Sequence, residues 1–119
     1  MTQEEKQLLL QDLCARLPYG VVVVLDEKFG FNKGTRPLVK ELLDLYCVEG
    51  MKPYLRPMSS MAEEEKKELV KEFWGSHTAK DTFEELSWYL SKHFDVNGLI
   101  PKGLAIEVTE ENNPYKEGG

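Results

Sequence analysis

Gly20-Val21-Val22-Val23-Val24-Leu25, followed by Asp26-Glu27, is the stretch on which the fold turns. The apolar run is β-branched almost throughout and too short for a typical helix. A glycine stands before it and two carboxylates after it, so it predicts a strand. Because it is apolar on both faces, it predicts a central place in a sheet, covered on each side.

Before this strand, Thr2 and Glu5 stand at capping-box spacing: the Thr hydroxyl accepts from the Glu5 amide and the Glu5 carboxylate accepts from the Thr2 amide. Leu9, Leu10, Leu13, Cys14 and Leu17 recur at spacings of three and four, one apolar stripe of a helix that Pro18 and Gly20 end. That helix is the expected cover for one face of the strand.

After it, Phe29 to Gly34 is punctuated by glycine and reads as a loop. Pro37 to Val48 fits two periods. Leu38, Val39, Leu42, Leu43 and Tyr46 share a helical face opened by Thr35 as cap and Pro37 in the first turn, whereas a strand would bury Lys40 and Asp44. Lys52-Pro-Tyr-Leu-Arg-Pro57 spaces two prolines four apart, which predicts an extended connector. Ser60 and Glu63 repeat the capping-box spacing, and Glu63, Glu64 and Glu65 suit the positive end of a helix dipole. This second helix would bury Leu69, Val70, Phe73 and Trp74 and close at Gly75. Asp81 or Thr82 opens a third, with Phe83, Leu86, Tyr89, Leu90 and His93 or Phe94 on one face. Leu104, Ile106 and Val108 alternate with Ala105, Glu107 and Thr109 as in a half-buried strand. The expectation is an α+β fold, a small β-sheet packed with about three helices. Residues 1–109 form its single domain and 110–119 a flexible tail.

The chain has 119 residues, 41% of them hydrophobic, which is enough for one real core. A net charge of −6 and dispersed basic residues disfavour nucleic acid as a partner, since phosphate binding needs clustered Lys and Arg. No apolar stretch approaches the ~20 residues of a membrane span, and the polar N-terminus lacks an export pattern. Cys14 and Cys47 sit beside apolar neighbours, which predicts reduced, buried thiols in a cytoplasmic protein.

Little in the sequence carries chemistry. His77 and His93 belong to no ligand motif, so a metal site would need the scattered set Cys14, Cys47, His77 and His93. No metal and no cofactor is expected. Ser59-Ser60 lacks the elbow or base of a nucleophile, and Gly30 to Thr35 lacks phosphate-loop spacing. No residue qualifies as catalytic. Trp74, Trp88, Tyr54 and Tyr89 are read either as core or as binding aromatics. The connector has the best claim to a contact role, because an extended, proline-ordered segment carrying Tyr54, Leu55, Arg56 and Met58 loses little entropy on docking to a protein partner.

Three stretches carry a resemblance: Leu8 to Val21, Lys52-Pro-Tyr-Leu-Arg-Pro-Met-Ser-Ser-Met61, and His93-Phe-Asp with Gly98-Leu-Ile-Pro-Lys-Gly-Leu-Ala-Ile106. They resemble uncharacterised small proteins of Bacteroides-group gut bacteria and their phages and prophages. The resemblance implies an accessory role on a mobile element and no activity or catalytic residue. It also implies strands between the first helix and the Lys-Pro-Tyr-Leu motif, which tips Pro37 to Val48 towards strand. The chain departs from those relatives at Lys92, where a second histidine often precedes His93, and at Val96-Asn97 in place of Tyr-Arg, which weakens any functional histidine pair. The expected function is a non-enzymatic interaction or accessory protein of a phage or mobile element. The alternative is an enzyme of unidentified type with its site near His77 or His93.

Overall fold

The N-terminal capping box forms as its spacing predicts. In the computed structural model, which describes residues 2–25, 34–45, 50–73 and 79–115, Thr2 Oγ1 accepts from the Glu5 amide at 3.1 Å. Glu5 Oε1 accepts from the Thr2 amide at 2.9 Å. The helix it starts, α1 (Gln3–Arg16), runs through a 3-10 turn at Leu17–Tyr19 into Gly20, whose φ of 69° suits glycine. Its buried residues are Leu9, Asp12, Leu13 and Arg16. The apolar stripe is therefore rotated from expectation, with Leu10 and Cys14 exposed. The physical reason is that Asp12 and Arg16 lie one turn apart and neutralise each other, so a charged pair occupies the inward positions. Cys47 lies outside the described residues.

Val22–Leu25 forms β1, and it is central: the sheet order is β2-β1-β3-β4. β2 (Gly34–Pro37) and β3 (Met51–Leu55) run antiparallel to β1, while β4 (Ile106–Glu107) is parallel to β3. Val21, Val23 and Leu25 are buried in one core with Leu9 and Leu13 of α1 and with Leu38, Leu42, Met51, Leu55, Leu99 and Leu104. Val22 and Val24 are half-buried, so the second face is covered only in part.

Between β2 and β3 lies α2 (Lys40–Leu45), so within Pro37 to Val48 the helical period holds for Lys40 to Leu45, where the lean towards strand is corrected, while Pro37 itself ends β2. Leu38 and Leu42, four apart, are both buried, and a strand could not have turned both inward without Lys40 between them. The strand before α2 instead occupies Gly34–Pro37, at the end of the expected loop.

The connector Lys52 to Pro57 is also corrected: Lys52 to Leu55 belong to β3. Pro53 is tolerated there for a geometric reason. Leu55 O accepts from Val108 N on the β4 side, and by the alternation of strand backbone groups the Pro53 nitrogen faces that same side, where β4 pairing has not yet begun.

A 3-10 turn at Met58–Ser60 leads to α3 (Glu63–Phe73). Its capping differs from expectation. Ser60 Oγ donates to Pro57 O at 2.7 Å, and the helix opens on Ala62, whose carbonyl takes the Lys66 amide and whose amide donates to Glu65 Oε1 at 2.9 Å. α4 (Ala79–Ser91) starts ahead of the expected cap at 81–82. The described residues thus hold four α-helices around a mixed four-stranded sheet, the small α+β fold expected.

Candidate functional site

The end of α4 has the most unusual backbone among the described residues. The His93 amide bonds Leu90 O at 3.0 Å and the Phe94 amide bonds Tyr89 O at 3.1 Å, the paired closure of a Schellman motif, with the Phe94 and Tyr89 rings edge to face at 6.2 Å. The left-handed residue of such a motif is usually glycine. Here it is His93, at φ 65°, the one non-glycine with positive φ among the described residues. Holding a side chain there costs about 1–3 kcal/mol, and strain of this kind gathers at functional positions.

The strained turn aims the imidazole at Tyr115. The two rings stack with centroids 3.8 Å apart and planes 7° from parallel. The Tyr115 hydroxyl accepts from Val22 N at 2.9 Å and donates to Tyr54 O at 2.8 Å. β1 and β3 pair directly from Leu25↔Met51 to Val23↔Pro53. One step further in that register stand Val22 and Tyr54, and the hydroxyl sits between them as a spacer in the ladder. Two residues beyond Tyr54, Arg56 N donates to His93 O at 2.8 Å and Asp95 N donates to Arg56 O at 2.9 Å. So the tail expected to be flexible packs back at Tyr115 onto the core.

Burial and the nearby Arg16 and Arg56 cations push the His93 pKa down to about 4, so the ring is neutral at neutral pH. Burial pushes Tyr115 up to about 12, which keeps the phenolic proton available for Tyr54 O. His93 Nδ1 is buried without a hydrogen-bond partner among the described residues.

Arg56 is fixed from three sides. It forms a two-pronged pair with Glu65 at 2.8 and 2.6 Å, donates to Ser60 O at 3.2 Å, and lies over the Phe94 ring at 4.3 Å. The guanidinium holds the Glu65 carboxyl below the usual range. Phe94 stacks in turn on Trp88 at 6.1 Å, whose indole N–H donates to Glu68 at 3.0 Å. Beneath this pile, Arg16 is fully buried, paired with Asp12 at 2.6 Å and donating to Phe94 O at 2.7 Å, while Asn97 donates to Asp12 at 2.8 Å. Around Arg56, Lys92, His93, Asn113 and Tyr115 opens a groove of about 610 Å³.

A second groove, of about 330 Å³, is lined by Met58, Leu86, Tyr89 and Val96, with Glu85 and the buried Asp95, whose carboxylate accepts from the Leu99 and Ile100 amides. Met58 is 43% exposed and Leu86 44%, and Phe83, three residues before Leu86 on α4, is 70% exposed. The outer half of the apolar face expected of this helix is therefore uncovered, while Leu90 and Phe94 are buried.

The residues singled out as protein-binding separate accordingly. Tyr54 and Leu55 are buried in β3 and present no side chain to a partner; Arg56 is held by Glu65; Met58 alone faces outward on apolar surface. Trp88 and Tyr89 are half-buried, while Trp74 and His77 lie outside the described residues. His93 does line a groove, but no carboxylate is hydrogen-bonded to it among the described residues, so no base with its orienting partner is assembled there. Among the described residues no group of three or more His, Cys, Asp or Glu could hold a metal, and no helix is long and apolar enough to cross a membrane. Sequence reading missed Tyr115, Asp12 and Arg16. The last two carried a signal, opposite charges four apart on the buried side of α1; Tyr115 carried none. Comparison with family models, curated proteins and solved structures finds no match to this chain.

Proposed function

We propose that the chain is a non-enzymatic interaction protein, an accessory of a phage or mobile element acting in the cytoplasm, and that it contacts another protein through Met58, Leu86 and Phe83. The observation that carries this reading is the 70% exposure of Phe83 in line with Leu86 beside the Met58 groove. A large exposed aromatic flanked by aliphatic and thioether side chains is the composition of an interface anchor, and leaving it in water forgoes burial worth about 1.5–3 kcal/mol. Glu85, the half-buried carboxylate that lines the same groove, suits a partner that brings a basic or amide group. The mobile-element context rests on the resemblance of the Lys52 to Met61 stretch, and a reducing compartment suits the exposed free thiol of Cys14.

Affinity capture from the native host tests the reading, with Phe83→Asp and Leu86→Asp as surface variants. Both sites are exposed, so each variant should keep its unfolding midpoint within about 0.5 kcal/mol of the parent while losing the captured protein. Unchanged capture by both variants would remove this surface. Tyr54→Ala is no substitute, since it opens the sheet core and confounds lost contact with lost fold.

A further inference from the structure

The interplay of β1, β3, His93 and Tyr115 leads to a second site, independent of the Met58 surface. We propose that the gap between β1 and β3 is a tyrosine-recognition slot, filled in cis by Tyr115 and open, once the tail withdraws, to a tyrosine-bearing segment of another polypeptide.

The slot selects by chemistry. At its inner end stand one backbone donor, Val22 N–H, and one backbone acceptor, Tyr54 O, at 2.9 and 2.8 Å from the same hydroxyl. A group placed there must accept and donate at once. Phenylalanine does neither and an indole N–H only donates, whereas a phenol does both. Its wall is the His93 imidazole, 3.8 Å from the ring centroid and 7° from parallel, which demands a flat ring ahead of the hydroxyl. All three recognition elements belong to the folded body and none to the tail.

The occupant is tethered lightly. Glu110, Glu111 and Asn112 are exposed, and the hydrogen bonds of 110–114 among the described residues stay local, between Thr109 and Asn112 and from Tyr115 N to Asn113 Oδ1. Tyr115 is thus the anchor of a segment that otherwise holds mainly to itself. On the folded-body side of the adjoining groove, which the tail lines opposite with Glu110 and Asn113, Lys92, Ser60 and Ser91 offer polar contacts to residues flanking an incoming tyrosine. The left-handed backbone at His93 fits this role: the strain places the ring that reads the phenol.

The test uses the full chain with Tyr115→Ala, probed with N-acetyl-tyrosinamide and, as the hydroxyl-free control, N-acetyl-phenylalaninamide. Binding is followed by the His93 ring resonances and by the shift in thermal midpoint. N-acetyl-tyrosinamide should bind Tyr115→Ala saturably and about tenfold more tightly than the control, the gain expected from two net hydrogen bonds. Wild-type protein, its slot filled, should respond at least about tenfold more weakly. No response from Tyr115→Ala, or equal affinity for the two probes, overturns the proposal. If Tyr115→Ala shows no cooperative unfolding, a transition restored by N-acetyl-tyrosinamide supports the slot and failure to restore it counts against it.

Discussion

At His93 a backbone cost and an electrostatic cost fall on one residue. Its φ of 65° is suited to glycine, and its imidazole is kept neutral by burial and by the Arg16 and Arg56 cations, with a pKa near 4. The pH dependence follows from the sign of that shift. Between the ordinary value of 6.5 and about 4 the unfolded chain takes up a proton that the folded chain refuses, so stability falls as pH drops through that window and this loss levels off below it. Glu5 and Glu65, both held low, add their own loss only at more acid pH. Asparagine tolerates a left-handed backbone and does not titrate. His93→Asn should therefore flatten the stability profile between pH 6.5 and 5, measured by urea midpoints; an unchanged slope would mean that His93 is not held neutral. None of this was legible in the sequence. A histidine at a helix end reads as a cation favoured by the dipole, whereas its neutral state follows first from burial and then from Arg16 and Arg56, which only the fold brings near.

In α3, two capping readings compete for neighbouring residues. The spacing of Ser60 and Glu63 matches a capping box, but the box that forms is Ala62 with Glu65, and only its return half exists because alanine has no oxygen to offer. Ala62→Ser should complete it and add about 1 kcal/mol, whereas Ser60→Ala should stay within about 0.5 kcal/mol of the parent. Chemical denaturation of the two variants settles the order, and the reverse ranking would return the cap to Ser60. Sequence-level reading misplaced the start because Glu65 answers to more than its own helix: its carboxylate is clamped by Arg56 at the end of β3. The helix itself, the Thr2 box of α1 and the β1 run were all readable, since each depends on residues within a few positions of one another. β3 was readable as extended but not as a strand, because pairing with β1 and β4 is made with distant residues.

Across the molecule, the buried pair Asp12–Arg16 joins α1 to the Phe94–Asn97 turn, whose Asp95 and Val96 line the smaller groove. Removing one charge leaves the other unpaired in a dry site, so Arg16→Met should cost about 3–5 kcal/mol by thermal or urea unfolding. Asp12→Leu with Arg16→Met should recover most of that loss, and additive losses would show that the two are not coupled. The same contrast between near and far explains how the fold could be anticipated and the sites could not. An α+β chain with a central strand ending at Leu25, a capped first helix and a net negative charge is written in periodicity, capping chemistry and composition, which act locally along the chain. The burial of Tyr54 and Leu55, the exposure of Phe83 beside Met58, the hydroxyl of Tyr115 between two strands and the neutral His93 all arise when segments far apart in sequence meet. Their energies depend on what fills the space around each side chain, and only the packed molecule supplies that.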